Sequence, residues 1–214
     1  MNTLLYSAIY NSRKRLVPAF RKQKVNHPFK EKIVKYLRVA SPLSEIPIKA
    51  DPKYRFFLNA DISINSKSGT AYRELVSSGV NKNEIWHRGI EQKTALSKNL
   101  RILIRLPWLI SVLFKNLKAI KCLDLISLQV FVGYEANKHF FKKHKNLVPI
   151  IISDLSPSLL MQWSGALAAG NKIMWWQDDY HHFKGFSKEN YFPYRCHFAA
   201  ILNQHGLETV RDKS

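Results

Sequence analysis

Continuous apolar runs that alternate with helical patterns constrain the fold of this chain more than any other feature. Three runs are typical of buried strands: 55–64, 148–153 and 172–176. A strand that is apolar throughout is covered on both faces, whereas a half-exposed strand alternates in polarity. Helical patterns follow two of these runs, at 70–78 and 158–169. The sequence therefore predicts an α/β fold, with a Rossmann-like parallel sheet and helices on both faces.

Five further elements are expected around these runs. They are a short strand at 84–87, a long helix at 94–121, a β-rich run at 128–132, a helix at 135–145 and a strand at 197–202. Pro107 should bend or break the long helix, because proline removes a backbone donor and clashes with the preceding turn.

The first 50 residues differ from the rest in charge and proline content. They hold eleven basic residues against two acidic ones, and four prolines. We predict a basic, partly helical arm over residues 1–50, followed by the α/β domain over 51–214. A helix is expected at 28–39. One face of it carries Phe29, Ile33, Tyr36 and Leu37. Such an arm is either solvated or docked on an anionic surface.

The net charge of the whole chain is +19, from 34 basic and 15 acidic residues. That excess favours an anionic partner, which could be nucleic acid, an acidic membrane leaflet or a phosphorylated ligand. Two cysteines exclude a disulfide framework and a four-thiolate zinc site. So few cysteines make a reducing, cytosolic location the default expectation. The sequence also contains neither a secretory signal nor an uncharged apolar run of about 20 residues.

Ligands of open α/β sheets bind beyond the carboxyl ends of the strands, so strand exits are the candidate sites. The loop at 65–70 contains glycine and leads into a helix, whose N-terminus suits a phosphate or a sugar hydroxyl. We predict that Ser68, Gly69 and Thr70 bind substrate and that Arg73 faces the same opening. An ordinary strand–turn–helix connection is the alternative, since the P-loop spacing is missing.

Two more strand exits carry carboxylates. Asp154 follows the run at 148–153 and is predicted to bind substrate, with helix capping by Asp154 or Ser156 as the alternative. The cluster after the run at 172–176 is the densest in ionisable side chains: Asp178, Asp179, His181 and His182. Two carboxylates and two imidazoles this close together can act as a general base, as metal ligands or as hydroxyl-binding groups. Among these uses we predict Asp178, Asp179 and His181 as catalytic and His182 as substrate-binding. Capping or packing roles remain the alternative, and no metal site is predicted.

The stretch at 100–121 is both basic and strongly apolar. It either packs across the sheet or lies partly in a membrane interface. In the second case Trp108 and Phe114 would insert between lipids. The cations expected on lipid phosphates are Arg101, Arg105, Lys115, Lys118 and Lys121.

The region 54–212 resembles the amino-terminal half of a GT-B glycosyltransferase. The resemblance rests on the strand–helix–strand pattern IIISDLSPSLLMQWSGALAAGNKIMWWQDDYHH, on FAAILNQHGLETV after it, and on SINSKSGTAYREL near the start. It implies transfer of a sugar from a nucleotide-sugar co-substrate, without any other cofactor, to a membrane-associated glycan or lipid-linked acceptor. It also implies that Asp178, Asp179 or His181 deprotonates the acceptor hydroxyl.

The resemblance further implies a donor-binding domain that these 214 residues do not include. We therefore expect a truncated chain or one half of a split enzyme, incompetent alone, at the inner face of the membrane. Specific nucleic-acid binding is not expected, because no helix-turn-helix, RNA-recognition or zinc-finger signature is present. A basic nucleic-acid-binding protein and a metal-dependent hydrolase using residues 178–182 are the alternatives.

Overall fold

A computed structural model describes residues 3–21, 27–47, 50–60, 62–63, 66–88, 90, 98–152, 156–176 and 197–200. Within them, the strands are β1 Phe56–Leu58, β2 Ile85–His87, β3 Val148–Ile152, β4 Met174–Trp176 and β5 Phe198–Ala200. The helices are α1 Thr3–Arg21, α2 Pro28–Ala40, α3 Pro42–Glu45, α4 Lys67–Ser77, α5 Lys98–Lys115, α6 Leu117–Ile120, α7 Leu125–Lys143 and α8 Pro157–Ala169.

The five strands form one sheet in the order β2-β1-β3-β4-β5, and every neighbouring pair is parallel. This is a common order of doubly wound sheets. The chain moves outward from β1 to β2 and then crosses back over β1 to β3. The predicted α/β fold with a parallel sheet is confirmed, and the order is consistent with a Rossmann-like fold.

Both faces of the sheet are covered, as the apolar runs predicted. Phe57 and Ile151 belong to the large core on one face, which also includes side chains of α1, α7 and α8. Leu58 and Ile150 belong to a smaller core on the opposite face, together with Leu75 of α4. Neighbouring residues of each strand thus enter different cores, because side chains alternate across a strand.

The helices α4 and α8 lie close to their predicted ranges, because local signals fix both ends. Ser66 and Ser156 cap their N-termini by accepting bonds from backbone N–H groups. Gly79 and Gly170 follow the C-terminal ends with φ of +93° and +83°, a region that glycine adopts at little cost.

The β-rich run at 128–132 was wrongly predicted to be a strand. It lies inside α7, which also starts ten residues before the helix predicted at 135–145. Val130, Phe131 and Val132 are at most 3% exposed. A buried helix is apolar on all sides, so its sequence lacks the amphipathic period that would separate it from a buried strand.

Asp124 caps the N-terminus of α7. It accepts a 2.8 Å bond from the Ser127 backbone N–H and pairs with Arg13 of α1 at 2.6 Å. Burial alone would raise the pKa of Asp124. The bonds from Ser127 and Arg13, and the charge of Arg13, outweigh burial and lower that pKa below its ordinary value.

The structure does not show residues 1–50 as a basic arm. Helix α1 packs against α7 and α8, and buries Leu5, Ile9 and Leu16 at helical spacing in the main core. The helix predicted at 28–39 is confirmed as α2, and the apolar face named above is exposed.

The long helix predicted at 94–121 is interrupted at Asn116 rather than at Pro107. Helix α5 continues through Pro107, since Arg105 before it and buried Leu109 after it both hold the helix on the protein. None of the described helices has the length and apolar character needed to cross a membrane.

Candidate functional site

A cleft of about 360 Å³ opens where the strand order reverses, beyond the carboxyl ends of β1 and β3. We call it the switch-point cleft. Its lining comes from both strands and the connections around them: Glu45, Leu58, Asn59, Ala60, Lys67, Ser68, Arg88, Ile150, Ile152, Ser156, Ser158 and Leu159. Ligands of doubly wound sheets bind at this kind of position, and the volume lies within the range of small-molecule sites.

One wall is the first turn of α4, fixed by a close backbone approach. The Ser66 hydroxyl donates to the Ser63 carbonyl at 2.9 Å and accepts from the Gly69 N–H at 2.9 Å. A Cβ on Gly69 would lie 2.1 Å from the same carbonyl oxygen. Only glycine fits there, and this packing sets where Lys67 and Ser68 meet the cleft.

The facing wall is the start of α8. Ser156 caps the helix by accepting from the Leu159 N–H, and the Ser156 and Ser158 hydroxyl oxygens lie 3.2 Å apart. Pro157 occupies the first turn, where its missing N–H costs nothing. Ser156 thus takes the capping role that the sequence left open, and two hydroxyls face the cleft from this side.

Charged groups line the cleft from three elements. Arg88, directly after β2, donates to the Asn59 side-chain oxygen at 3.2 Å. Lys67 adds a cation from α4, and Glu45 a carboxylate from α3. Two cations, a carboxylate, an amide and several hydroxyls make a site suited to a ligand that carries hydroxyl and phosphate groups.

The residues predicted from the sequence are placed as follows. Ser68 lines the cleft and is buried. Gly69 supports the cleft wall through its contact with Ser63. Thr70 and Arg73 are exposed and bonded to each other at 3.1 Å, outside the lining. Asp154 and the cluster at 178–182 lie outside the described residues.

The carboxyl end of β4 nevertheless lies at the same edge of the sheet as the cleft. Trp176, the last residue of β4, is paired with Ile152 of the parallel neighbour β3, and Ile152 lines the cleft. The chain therefore leaves β4 at the edge where the cleft opens. Asp178 follows only two residues later in the sequence.

Sequence reasoning missed Glu45, Asn59, Lys67 and Arg88. A signal existed for Arg88, which directly follows the strand predicted at 84–87, and for Lys67, which lies in the loop assigned to the first strand exit. Asn59 was placed within a strand that ends earlier than predicted. Nothing local marks Glu45, because only the tertiary position of α3 brings it to the sheet.

Within the described part of the chain, no group of three or more His, Cys, Asp or Glu side chains could hold a metal ion. Comparisons with protein-family models, curated proteins and solved structures return no match. Function must therefore be inferred from the chemistry of the cleft.

Proposed function

We propose that this chain is the acceptor-side half of a two-domain, GT-B type glycosyltransferase. It would transfer a sugar from a nucleotide-sugar co-substrate to a membrane-associated glycan or lipid-linked acceptor, at the inner face of the membrane. A separate donor-binding domain would supply the other wall of the crevice.

The observation that carries this proposal is the composition of the switch-point cleft. Lys67 and Arg88 suit the phosphate of a lipid-linked or phosphorylated sugar, because ammonium and guanidinium groups form strong hydrogen bonds to phosphate oxygens. Ser68, Ser156 and Ser158 add hydroxyls that can bond to sugar hydroxyls.

Sugar transfer needs a base that accepts the proton of the attacking acceptor hydroxyl while the nucleoside diphosphate leaves the donor sugar. The resemblance assigns this role to Asp178, Asp179 or His181. Among the described lining residues, Glu45 is a further carboxylate that could accept the proton.

The proposal is tested by titrating the protein in a calorimeter with sugar 1-phosphates, which carry the phosphate and hydroxyl groups of a lipid-linked acceptor. Lys67→Gln should weaken binding at least tenfold, because it removes a charged hydrogen bond worth about 1.5–3 kcal/mol. Arg73→Gln is the matched control, since Arg73 is a cation of the same helix outside the cleft lining. Its affinity should stay within twofold of wild type.

A second assay follows radiolabelled sugar from nucleotide sugars into a lipid extract, with a donor-binding GT-B domain supplied in trans. We expect transfer that Glu45→Gln reduces. If the wild-type chain binds none of these sugars, or if Lys67→Gln and Arg73→Gln weaken binding equally, the assignment of the cleft to sugar handling is wrong.

A further inference from the structure

Helix α5 turns its two arginine side chains toward the protein. Arg101 is only 9% exposed and donates to the Ser44 carbonyl at 3.4 Å. Arg105 donates to the carbonyl oxygens of Leu43 and, at 2.6 Å, of Pro47. Both guanidinium groups thus bind the backbone in and around α3. The membrane-interface alternative placed both arginines on lipid phosphates; the structure turns them toward α3 instead.

The opposite side of α5 is apolar and continues onto α6. We call this surface the apolar ridge: Leu100, Leu103, Ile104, Leu106, Ile110, Phe114 and Leu117. Each of these side chains is between 38% and 68% exposed. They are half of the fourteen large apolar side chains exposed among the described residues. Apolar patches of this kind mark protein or membrane contacts.

The charge around the ridge discriminates between possible occupants. Residues 92–123 contain seven basic side chains and no acidic one. Lys115, Lys118 and Lys121 are exposed at the C-terminal end of the ridge. A second copy of this chain would bring the same positive charge against its own. An anionic bilayer offers phosphates to the lysines and an acyl boundary to the leucines.

We propose that the apolar ridge lies flat in the interface of an anionic bilayer, with Lys115, Lys118 and Lys121 on lipid phosphates. An 18-residue helix is about 27 Å long, so α5 would present its whole outer face at once. Phe114, the most exposed ridge residue, inserts between lipids. Trp108 does not, because its ring packs on His139 of α7 at 5.3 Å.

This inference deepens the membrane location of the proposed function, but it rests on a separate surface. Vesicle binding and sugar binding can therefore fail independently. If Lys67→Gln abolishes sugar binding and leaves vesicle binding intact, the two surfaces act separately, as expected.

The test is co-sedimentation of the protein with sucrose-loaded vesicles of phosphatidylglycerol and phosphatidylcholine, at equal parts, in 0.1 M salt. Replacing Lys115, Lys118 and Lys121 by Gln should weaken binding about a hundredfold, since each lysine near an anionic surface is worth about fivefold. The matched control replaces Lys142, Lys143 and Lys145 by Gln. It removes the same charge from exposed positions at the end of α7 and should change binding less than threefold.

The apolar part is tested by Leu103→Ser, which should weaken binding at least fivefold. Its control is Tyr6→Ser on α1, because Tyr6 and Leu103 are both 61% exposed. Vesicles of phosphatidylcholine alone should bind much more weakly.

Three results would overturn the proposal. The first is equal vesicle binding by Leu103→Ser and wild type. The second is an equal loss in both lysine triple variants, which would indicate diffuse charge rather than the ridge. The third is a concentration-dependent dimer in sedimentation velocity that Leu103→Ser dissociates, which would make a second copy the occupant.

Discussion

Replacing Gly69 by Ala should destabilise the protein and damage the switch-point cleft together. Gly69 has no positive φ, so an alanine there faces no backbone strain and would ordinarily gain up to about 1 kcal/mol in helix propensity. The added methyl, however, would lie 2.1 Å from the Ser63 carbonyl oxygen and 3.1 Å from the Ser66 hydroxyl. The backbone must therefore move by about 1 Å to restore ordinary contact distances.

That movement has two costs. Overpacking costs typically 1–3 kcal/mol, and pulling Ser63 away from Ser66 weakens the cap of α4, which is worth roughly 0.5–2 kcal/mol. After the gain in propensity, we expect a net loss of about 2 kcal/mol. In a domain of this size it corresponds to a fall in Tm of about 4–8 °C.

Gly79→Ala, at the other end of α4, is the control that separates a loss of stability from a loss of sugar-phosphate binding. No atom lies within 4 Å of a Cβ there, but φ is +93°, so the cost of about 1–2 kcal/mol comes from the backbone alone. Urea unfolding followed by tryptophan fluorescence should show similar losses for both variants. Only Gly69→Ala should weaken the binding of sugar phosphates. If Gly69→Ala unfolds at the same urea concentration as wild type, the close approach that defines this wall is absent.

Three further results are expected. Asp124→Ala should lower the free energy of unfolding by about 1 kcal/mol at pH 7, because it removes the cap of α7. Folding lowers the pKa of Asp124 below its ordinary value of 3.8. In urea titrations, the stability difference between variant and wild type should therefore shrink as the pH falls below 3.8. Burial and nearby cations lower the pKa of His139 below its ordinary value of 6.5. Wild type should therefore lose stability relative to His139→Gln as the pH falls below 6.5. Parallel curves of unfolding free energy against pH, from pH 7.5 to 5.5, would contradict this. Arg105→Lys keeps the charge but loses the guanidinium group that donates to two carbonyl oxygens at once. We expect a lower Tm and weaker sugar-phosphate binding, with unchanged vesicle binding. A wild-type Tm together with wild-type sugar-phosphate affinity would refute the anchoring role.

Local signals in the sequence were sufficient to predict the helices and strands that surround the cleft. Ser66 and Gly79 mark the two ends of α4, and Ser156 and Gly170 mark the two ends of α8. Each of these residues acts within one turn of its own helix. The parallel sheet followed from apolar runs that are buried on both faces. Such features depend on neighbours in the chain, so a sequence reveals them.

The central helix α7 could not be told from a strand by the same reasoning. Its buried middle reads as a β-branched and aromatic run, and only the helices around it decide its conformation. Helix α5 posed the opposite difficulty. The membrane-interface alternative placed its arginines on lipid phosphates, whereas in the structure they donate to carbonyl oxygens of α3, more than fifty positions away in the sequence.

Glu45 shows why the cleft itself was only partly predictable. It belongs to a four-residue helix in a segment that the sequence assigned to an arm, and no strand exit precedes it. The cleft gathers side chains from α3, α4 and α8 and from the residues after β1 and β2. Only the strand order, which brings β1 beside β3, makes these segments neighbours.

Helix α3 connects the two surfaces to which we assign function. Arg105 of α5 holds the carbonyls of Leu43 and Pro47, which flank Glu45 in the sequence, and Glu45 lines the cleft. The element that carries the apolar ridge is therefore also bonded to the segment that brings Glu45 to the cleft. A bilayer that seats α5 would hold this segment in place, because two charged hydrogen bonds connect α5 to it. An acceptor anchored in the same bilayer would then meet a cleft whose Glu45 segment is bonded to the helix that we propose to dock there.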